Sequence, residues 1–225
     1  MLSPEDIVAR CRRVDTCALS DAADALGAGA AVADGLRPMW EGARAAGRAV
    51  TTQLAEGPAV RSSVHLGARA IERAGSDDVI VVANEGRTGM GSWGGLLCLA
   101  ASLRGAAGVV ADGALRDVDE ARELRFAVFA RAGTPRTARG RAHEESCGEP
   151  VRVSGVDVHP GDLIVADGSG VLVVLWAAAG DVLLRAEELA RREAQMASRL
   201  RAGEPAPAVL GQAYESMTSR STVRG

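Results

Sequence analysis

Two runs in the chain, VIVVA (79–83) and GVVAD (108–112), place apolar residues at consecutive positions instead of alternating them with polar ones. Such runs predict strands covered on both faces. FAVFAR (126–131) reads as a third strand. Between the first two lies GGLLCLAASLRG, apolar over a helical length, which predicts a helix near 94–104. Strand, helix, strand, helix, strand is the signature of a βαβ core, a sheet sandwiched by helices. Upstream, residues 3–12 form a predicted short helix with Ser3 as N-cap, Pro4 at the first helical position and acids in the first turn. ALSDAADALG predicts a second short helix closed by Gly27, followed by a Gly/Ala-rich loop, GAGAAVADGLRPMWEGARA. GRAVTTQL (47–54) alternates as a strand does, and residues 62–74 have apolar positions at helical spacing. NEGRTGMGSWGG reads as a glycine-rich loop. Downstream, EPVRVSG and VDVHPGDLIVADGSGVLVV predict short strands with tight Gly/Pro/Asp turns, and about 177–202 a long amphipathic helix. The fold class expected is α/β. No linker divides the chain, so 1–203 is expected as a single domain, with a tail (204–225) that is loose or packed on a neighbouring subunit.

Composition narrows what such a fold can do. Apolar residues make up 47% and aromatics only 3%, so the core must be built from Ala, Val and Leu. A net charge of −3 without any basic run argues against nucleic-acid binding. No apolar run approaches a membrane span, the start lacks a signal pattern, and cytoplasmic residence is the expectation. Cys11, Cys17, Cys98 and Cys147 show no CxxC spacing and imply neither a zinc site nor a disulfide framework. The chain contains no lysine. Imine-forming catalysis and a Walker-type phosphate loop both need a lysine amine, so carbanion chemistry here would need another electron sink, such as a divalent cation.

Candidate chemistry sits around the predicted 94–104 helix. Gly89-x-Gly91-x-x-Gly94 matches GxGxxG between a strand and a helix, with Asp112 near where a ribose-binding acid would lie. Five residues (84–88) separate the strand from the first glycine, which weakens the dinucleotide or methyl-donor reading. Arg116-Asp117-x-x-Glu120 can be read as a capping-box-like helix start. Equally, Arg116 offers a planar fork to a carboxylate and Asp117 a hard oxygen ligand for Mg²⁺ or Mn²⁺. The amides at Gly95, Leu96 and Leu97 open a helix, where anions bind. Together these could hold a 2-oxo acid. Asp21 and Asp24, three apart on a predicted helix, read as a solvated face or cap, and His65 as a packed or surface histidine.

The spacing Gly95-x20-Arg116-Asp117-x2-Glu120 resembles the motif of the RraA-like proteins, with supporting similarity from LSDAADALG (19–27) through WGGLLCLAASLRGAAGVVADGALRD and FAVFARAGTP to GVDVHPGDLIVADGSGVLVV (155–174). That family includes metal-dependent (class II) aldolases for 4-hydroxy-4-methyl-2-oxoglutarate and 4-carboxy-4-hydroxy-2-oxoadipate. The resemblance implies an α/β/α sandwich with a long C-terminal helix, assembled as homotrimers or homohexamers with active sites between subunits. It implies Asp117 as metal ligand, Arg116 on the pyruvate moiety, the Leu96 and Leu97 amides on its carboxylate beside Gly94 and Gly95, and Glu120 behind them. The expected activity is pyruvate release through an enolate, with oxaloacetate decarboxylation as companion. Two alternatives stand beside it: a non-catalytic regulator that binds and inhibits a ribonuclease, and a specialised pathway enzyme using the same site. Characterised aldolases can carry Asp where this chain has Gly95, which leaves the source of the catalytic proton open. Glu187, Glu188 and Glu193 of the C-terminal helix have no assigned family counterpart.

Overall fold

The computed structural model describes residues 2–58, 64–211 and 214. Helix α1 (Pro4–Cys11) begins where Ser3 Oγ accepts from the Asp6 amide at 3.1 Å. Helix α2 (Thr16–Leu26) is capped by Asp15 and closed by Gly27 in the left-handed region at φ 61°. The segment expected as a loop contains two short strands, β1 (Ala30–Val32) and β2 (Arg37–Pro38), too brief to show a period in sequence. Strand β3 (Ala45–Glu56) extends the predicted 47–54 at both ends. Helix α3 spans only Ala68–Arg73, because Gly67 at φ 80° turns the backbone ahead of it. Residues 62–63 of the predicted helix lie outside the described residues.

Strand β4 runs from Val79 to Trp93, through the stretch expected as a glycine-rich loop. It is irregular. Positive φ at Glu85 (51°) and Gly86 (70°) bulges the strand, and its register against β5 (Gly108–Leu115) shifts three times. Helix α4 (Gly95–Leu103) links these two strands, and α5 (Val118–Glu123) links β5 to β6 (Ala127–Gly133). Then follow β7 (Ala142–Cys147), not foreseen, and β8 (Val151–Val153), β9 (Val156–Val158), β10 (Leu163–Asp167) and β11 (Gly170–Val174). A short 3₁₀ turn (Trp176–Ala178) leads into the long α6 (Ala179–Arg201). A final turn, α7 (Ala206–Val209), buries Val209; residues 212–213 and 215–225 of the expected tail lie outside the described residues.

The main sheet has the order β1-β11-β10-β3-β4-β5-β6-β2, with β7 also on β3, and β8–β9 form a separate hairpin. Strands β3 to β6 are parallel, and the β1-β11-β10-β3 half is antiparallel. Period-two alternation divides the apolar side chains between layers. Leu163, Val165, Leu172 and Val174 pack under α1, α2 and α6. Ile164, Ala166, Val171 and Val173 face the other way, into a core shared with Val79, Val81, Val110 and Phe129 of the parallel half. The opposite face of that half, with Ile80, Val82, Val109 and Val128, packs under α3, α4 and α5. The fold is thus α/β, with a central mixed sheet flanked by helices and a long C-terminal helix. The C-terminal ends of β4 and β5 and the N-terminus of α4 meet at one edge, where open α/β sheets place ligands.

Candidate active site

The chain leaves β5 at Leu115, and the Arg116 amide donates to the Trp93 carbonyl at 2.9 Å, which ties the ends of β4 and β5 together. Asp117 follows in the left-handed region (φ 59°, ψ 45°), uncommon for a residue with a side chain. This turn decides the fate of its carboxylate. Although Asp117 is the N-cap of α5, it makes no side-chain cap there, and the capping-box reading is corrected: the carboxylate crosses to α4, where Oδ2 accepts from the Gly95 amide at 3.0 Å. Arg116 Nη2 lies 3.8 Å from Asp117 Oδ1, with both side chains about one-third exposed.

The glycines of the GxGxxG match have a different use from phosphate cradling. A Cβ at Gly91 would lie 2.5 Å from Arg116 Cγ, so the missing side chain makes room for the arginine stem. A Cβ at Gly94 would lie 3.1 Å from Asp117 Oδ2. Asp112 is not free to hold a ribose: it is buried, ion-paired with Arg131, and accepts from the Ser154 amide at 3.0 Å.

Gly94, Gly95, Leu96, Leu97, Arg116 and Asp117 line one cavity. The amides of Leu96 and Leu97 are among those a helix leaves without an i−4 carbonyl. Arg116 Nε is buried and has no hydrogen-bond partner among the described residues. A buried donor without an acceptor costs about 1–3 kcal/mol, and an anionic ligand would remove that cost. Glu120 stands outside the cavity lining, with its carboxylate in the space a side chain at 95 would need. Cys98 beneath them is inert as a nucleophile: burial, with Asp117 and Glu120 nearby adding to it, pushes its thiol up to about 12.

Among the described residues no group of three His, Cys, Asp or Glu side chains converges to hold a metal ion. Asp117 alone presents a carboxylate to the cavity. One carboxylate suits a hard cation that keeps most of its water, such as Mg²⁺, better than a metal needing an all-protein cage. Sequence reasoning read His65 as a packed or surface histidine and did not single out Thr137 or Arg139, yet all three line this cavity together with the buried Trp93. The loops bearing these residues carry no motif, and only the fold brings them to the site.

A mixed sheet flanked by helices, with an Arg–Asp pair at the strand ends, defines the class as α/β. Comparison with known families narrows it. The RraA-like family, described as Aldolase/RraA, matches residues 16–173, and the chain belongs to that family. It is 36% identical over 135 residues to the 4-hydroxy-4-methyl-2-oxoglutarate aldolase of Thermus thermophilus, covering 59% of this chain and 76% of that one. An uncharacterized protein from Pseudomonas syringae superposes with a TM-score of 0.82 at 29% identity, over 92% of this chain and 98% of that one. RraAS2 of Streptomyces coelicolor, described as an unusual member of the RNase ES inhibitor RraA protein family, gives 0.74 at 26% identity, covering 86% and 95%. Other relatives are matched over less of their own length. The chain spans a quarter of the length of protein DlpA of Legionella pneumophila, to which it is 31% identical over 69% of its own length, and 60% of an uncharacterized Methanocaldococcus jannaschii protein.

Proposed function

We propose that this protein is a divalent-metal-dependent carbon–carbon lyase that cleaves a 4-hydroxy-2-oxo acid and releases pyruvate, with oxaloacetate decarboxylation as a companion activity. The observation that carries this reading is that Arg116, its buried Nε without a partner among the described residues, lines the same cavity as Asp117 and the first residues of α4. The substrate carboxylate sits on the Leu96 and Leu97 amides, where the helix end favours negative charge. Arg116 directs its fork at the 2-oxo end, and charge that grows there on bond cleavage meets a fixed cation in a partly desolvated site. Mg²⁺ or Mn²⁺ on Asp117, when bound, would polarise the 2-oxo carbonyl and supply the electron sink that no lysine here provides. Asp117 is held for that task by the Gly95 amide, and Glu120 backs the same turn.

A second cavity, lined by Arg87 (paired with Glu85), Arg136 and Arg141 with Glu56 as its one described acid, adjoins the first along Gly89–Gly91 and the 136–141 loop and carries a net positive charge. It favours an acceptor half that carries a further carboxylate. Leu96, Leu99 and Leu103 are exposed on α4 beside the site, which supports assembly as trimers or hexamers with the active site at a subunit boundary. No helix of the described residues is long and apolar enough to cross a membrane, and residence in the cytoplasm is part of the proposal. The likeness to an RNase-inhibitor family member keeps a regulatory reading in view. Arg116 and Asp117 poised in one cavity favour chemistry over it.

The test is pyruvate release from a panel of 4-hydroxy-2-oxo acids and oxaloacetate, with and without Mg²⁺. Turnover should vanish with EDTA and return with metal, and Asp117→Ala should lower it by about 10²-fold or more. Turnover undiminished by EDTA or by the substitution would refute the proposal. Co-purification with a ribonuclease and no turnover would favour the regulator.

A further inference from the structure

Cleavage of a 4-hydroxy-2-oxo acid needs a base for the C4 hydroxyl and an acid for C3, and neither is among the residues so far assigned. Gly95 has no side chain to supply one. Of the described polar side chains lining the cavity, Arg116 and Arg139 offer only hydrogen-bond donors, and the Asp117 carboxylate accepts from the Gly95 amide. His65 remains, the one described lining residue whose ring pairs a donor nitrogen with an acceptor nitrogen and so can both take and give a proton.

The geometry around His65 fixes how it can act. Its Nδ1 lies 2.9 Å from the Leu66 carbonyl oxygen. A carbonyl can only accept, so Nδ1 carries the hydrogen and Nε2 keeps the lone pair. The turn bearing it is built, not loose. The buried Glu144 accepts from the Gly67 amide at 2.7 Å and pairs with Arg69, and the Ala68 amide donates to the His65 carbonyl at 3.2 Å. Gly67 stands at φ 80° against Trp93, where a Cβ would lie 2.5 Å from the indole Cζ3. Thus β7 and the Trp93 ring hold the turn against the cavity.

We propose that His65 is the catalytic base and acid of this site, an inference that rests on the lyase reading above. Nε2 takes the C4 hydroxyl proton as the O–H electron pair becomes the new carbonyl π bond. The C3–C4 pair passes to the enolate, and Nε2–H then returns the proton to C3, giving pyruvate. Protons and electrons balance with no co-reactant. Glu144 is a positioning residue for the turn.

Three reactions separate this inference from the reading beneath it. Exchange of pyruvate methyl protons in D₂O reports proton transfer at C3. Retro-aldol turnover needs both transfers. Oxaloacetate decarboxylation needs no hydroxyl proton, and its enol product can tautomerise in solution. In His65→Asn and His65→Gln, exchange and retro-aldol turnover should fall about 10²-fold, the usual scale of general acid–base catalysis, while decarboxylation stays within about threefold. Binding of oxalate, an enolate mimic, measured by calorimetry should also stay within about threefold, as evidence that the cavity is intact. Glu144→Gln should lower exchange to a smaller degree. Exchange that persists in both His65 variants would overturn the inference, and its loss in Glu120→Gln instead would move the role to Glu120. A wild-type protein with none of the three activities would overturn the lyase reading itself, and His65 with it.

Discussion

A Cβ built on Gly95 would overlap Glu120 Oε2 and lie 2.8 Å from its Cδ and 3.1 Å from Asp117 Cβ. The glycine is therefore not simply an acid lost from the site. The space its side chain would need is filled by the Glu120 carboxylate, which arrives from α5 and lies outside the cavity lining. Gly95→Ala should push Glu120 aside and disturb Asp117, lowering kcat/KM for pyruvate release about tenfold or more, equal to about 1.4 kcal/mol of transition-state stabilisation. Removing the obstruction in Gly95→Ala/Glu120→Ala should recover part of that loss. If Gly95→Ala matches wild type, the crowding has no functional weight. The sequence motif made Gly95, Arg116, Asp117 and Glu120 legible as a group. It did not show which partner each side chain finds, because the choice between capping α5 and reaching α4 is made by the left-handed backbone at Asp117, which spacing does not encode.

Among the elements, the buried runs at 79–83, 108–112 and 126–131 and the capped helices α1 and α2 were readable, since burial on both faces and side-chain caps leave direct marks in sequence. Strands β7 and the distal part of β4 were not. In β7 an inward position is Glu144, a charge that only Arg69 and the Gly67 amide make tolerable, so no apolar alternation exists to detect. In β4 the pattern is broken by Gly86, whose φ of 70° bulges the strand, and by Gly91, which admits the Arg116 stem. A different buried acid joins α2 to the sheet. Asp167, at the end of β10, accepts from the Thr16 amide (2.9 Å), the Thr16 hydroxyl (2.7 Å) and the Ser169 amide (2.9 Å), with Arg44 at 3.5 Å. Burial alone would raise its pKa, but these donors and Arg44 outweigh it and hold the carboxyl below its ordinary 3.8. A carboxyl held low in the folded state stabilises the protein above the unfolded pKa, and that contribution is lost as pH falls through the folded value. Asp167→Asn should therefore cost about 1–3 kcal/mol in urea unfolding at pH 7. The difference from wild type should shrink as pH falls below 3.8. A constant difference down to pH 3 would contradict this account.

For the whole molecule, α4 carries the clearest sign of an unmet partner. Leu96 and Leu103 are 79% and 80% exposed, and Leu99 is 39% exposed on the same stripe. Leu96 also lines the cavity, so whatever covers the stripe borders the site. Leu103→Glu should shift the protein to a smaller species in sedimentation velocity, and a wild-type monomer at micromolar concentration would remove the basis for the assembly. The layer beneath α1, α2 and α6 bears on how the chain acquires its fold. The buried residues of that cluster come from 7–46 and 163–189, with almost the whole parallel half between them in sequence. Loop closure over such a separation is slow, and contacts this distant in sequence delay folding. During synthesis the parallel half can begin to form as β3 to β6 emerge, while α1 and α2 keep their apolar faces uncovered until β10, β11 and α6 have left the ribosome. The surface of α1 and α2 thus stays unburied from the time these helices emerge until α6 does, the interval in which a chaperone would find it.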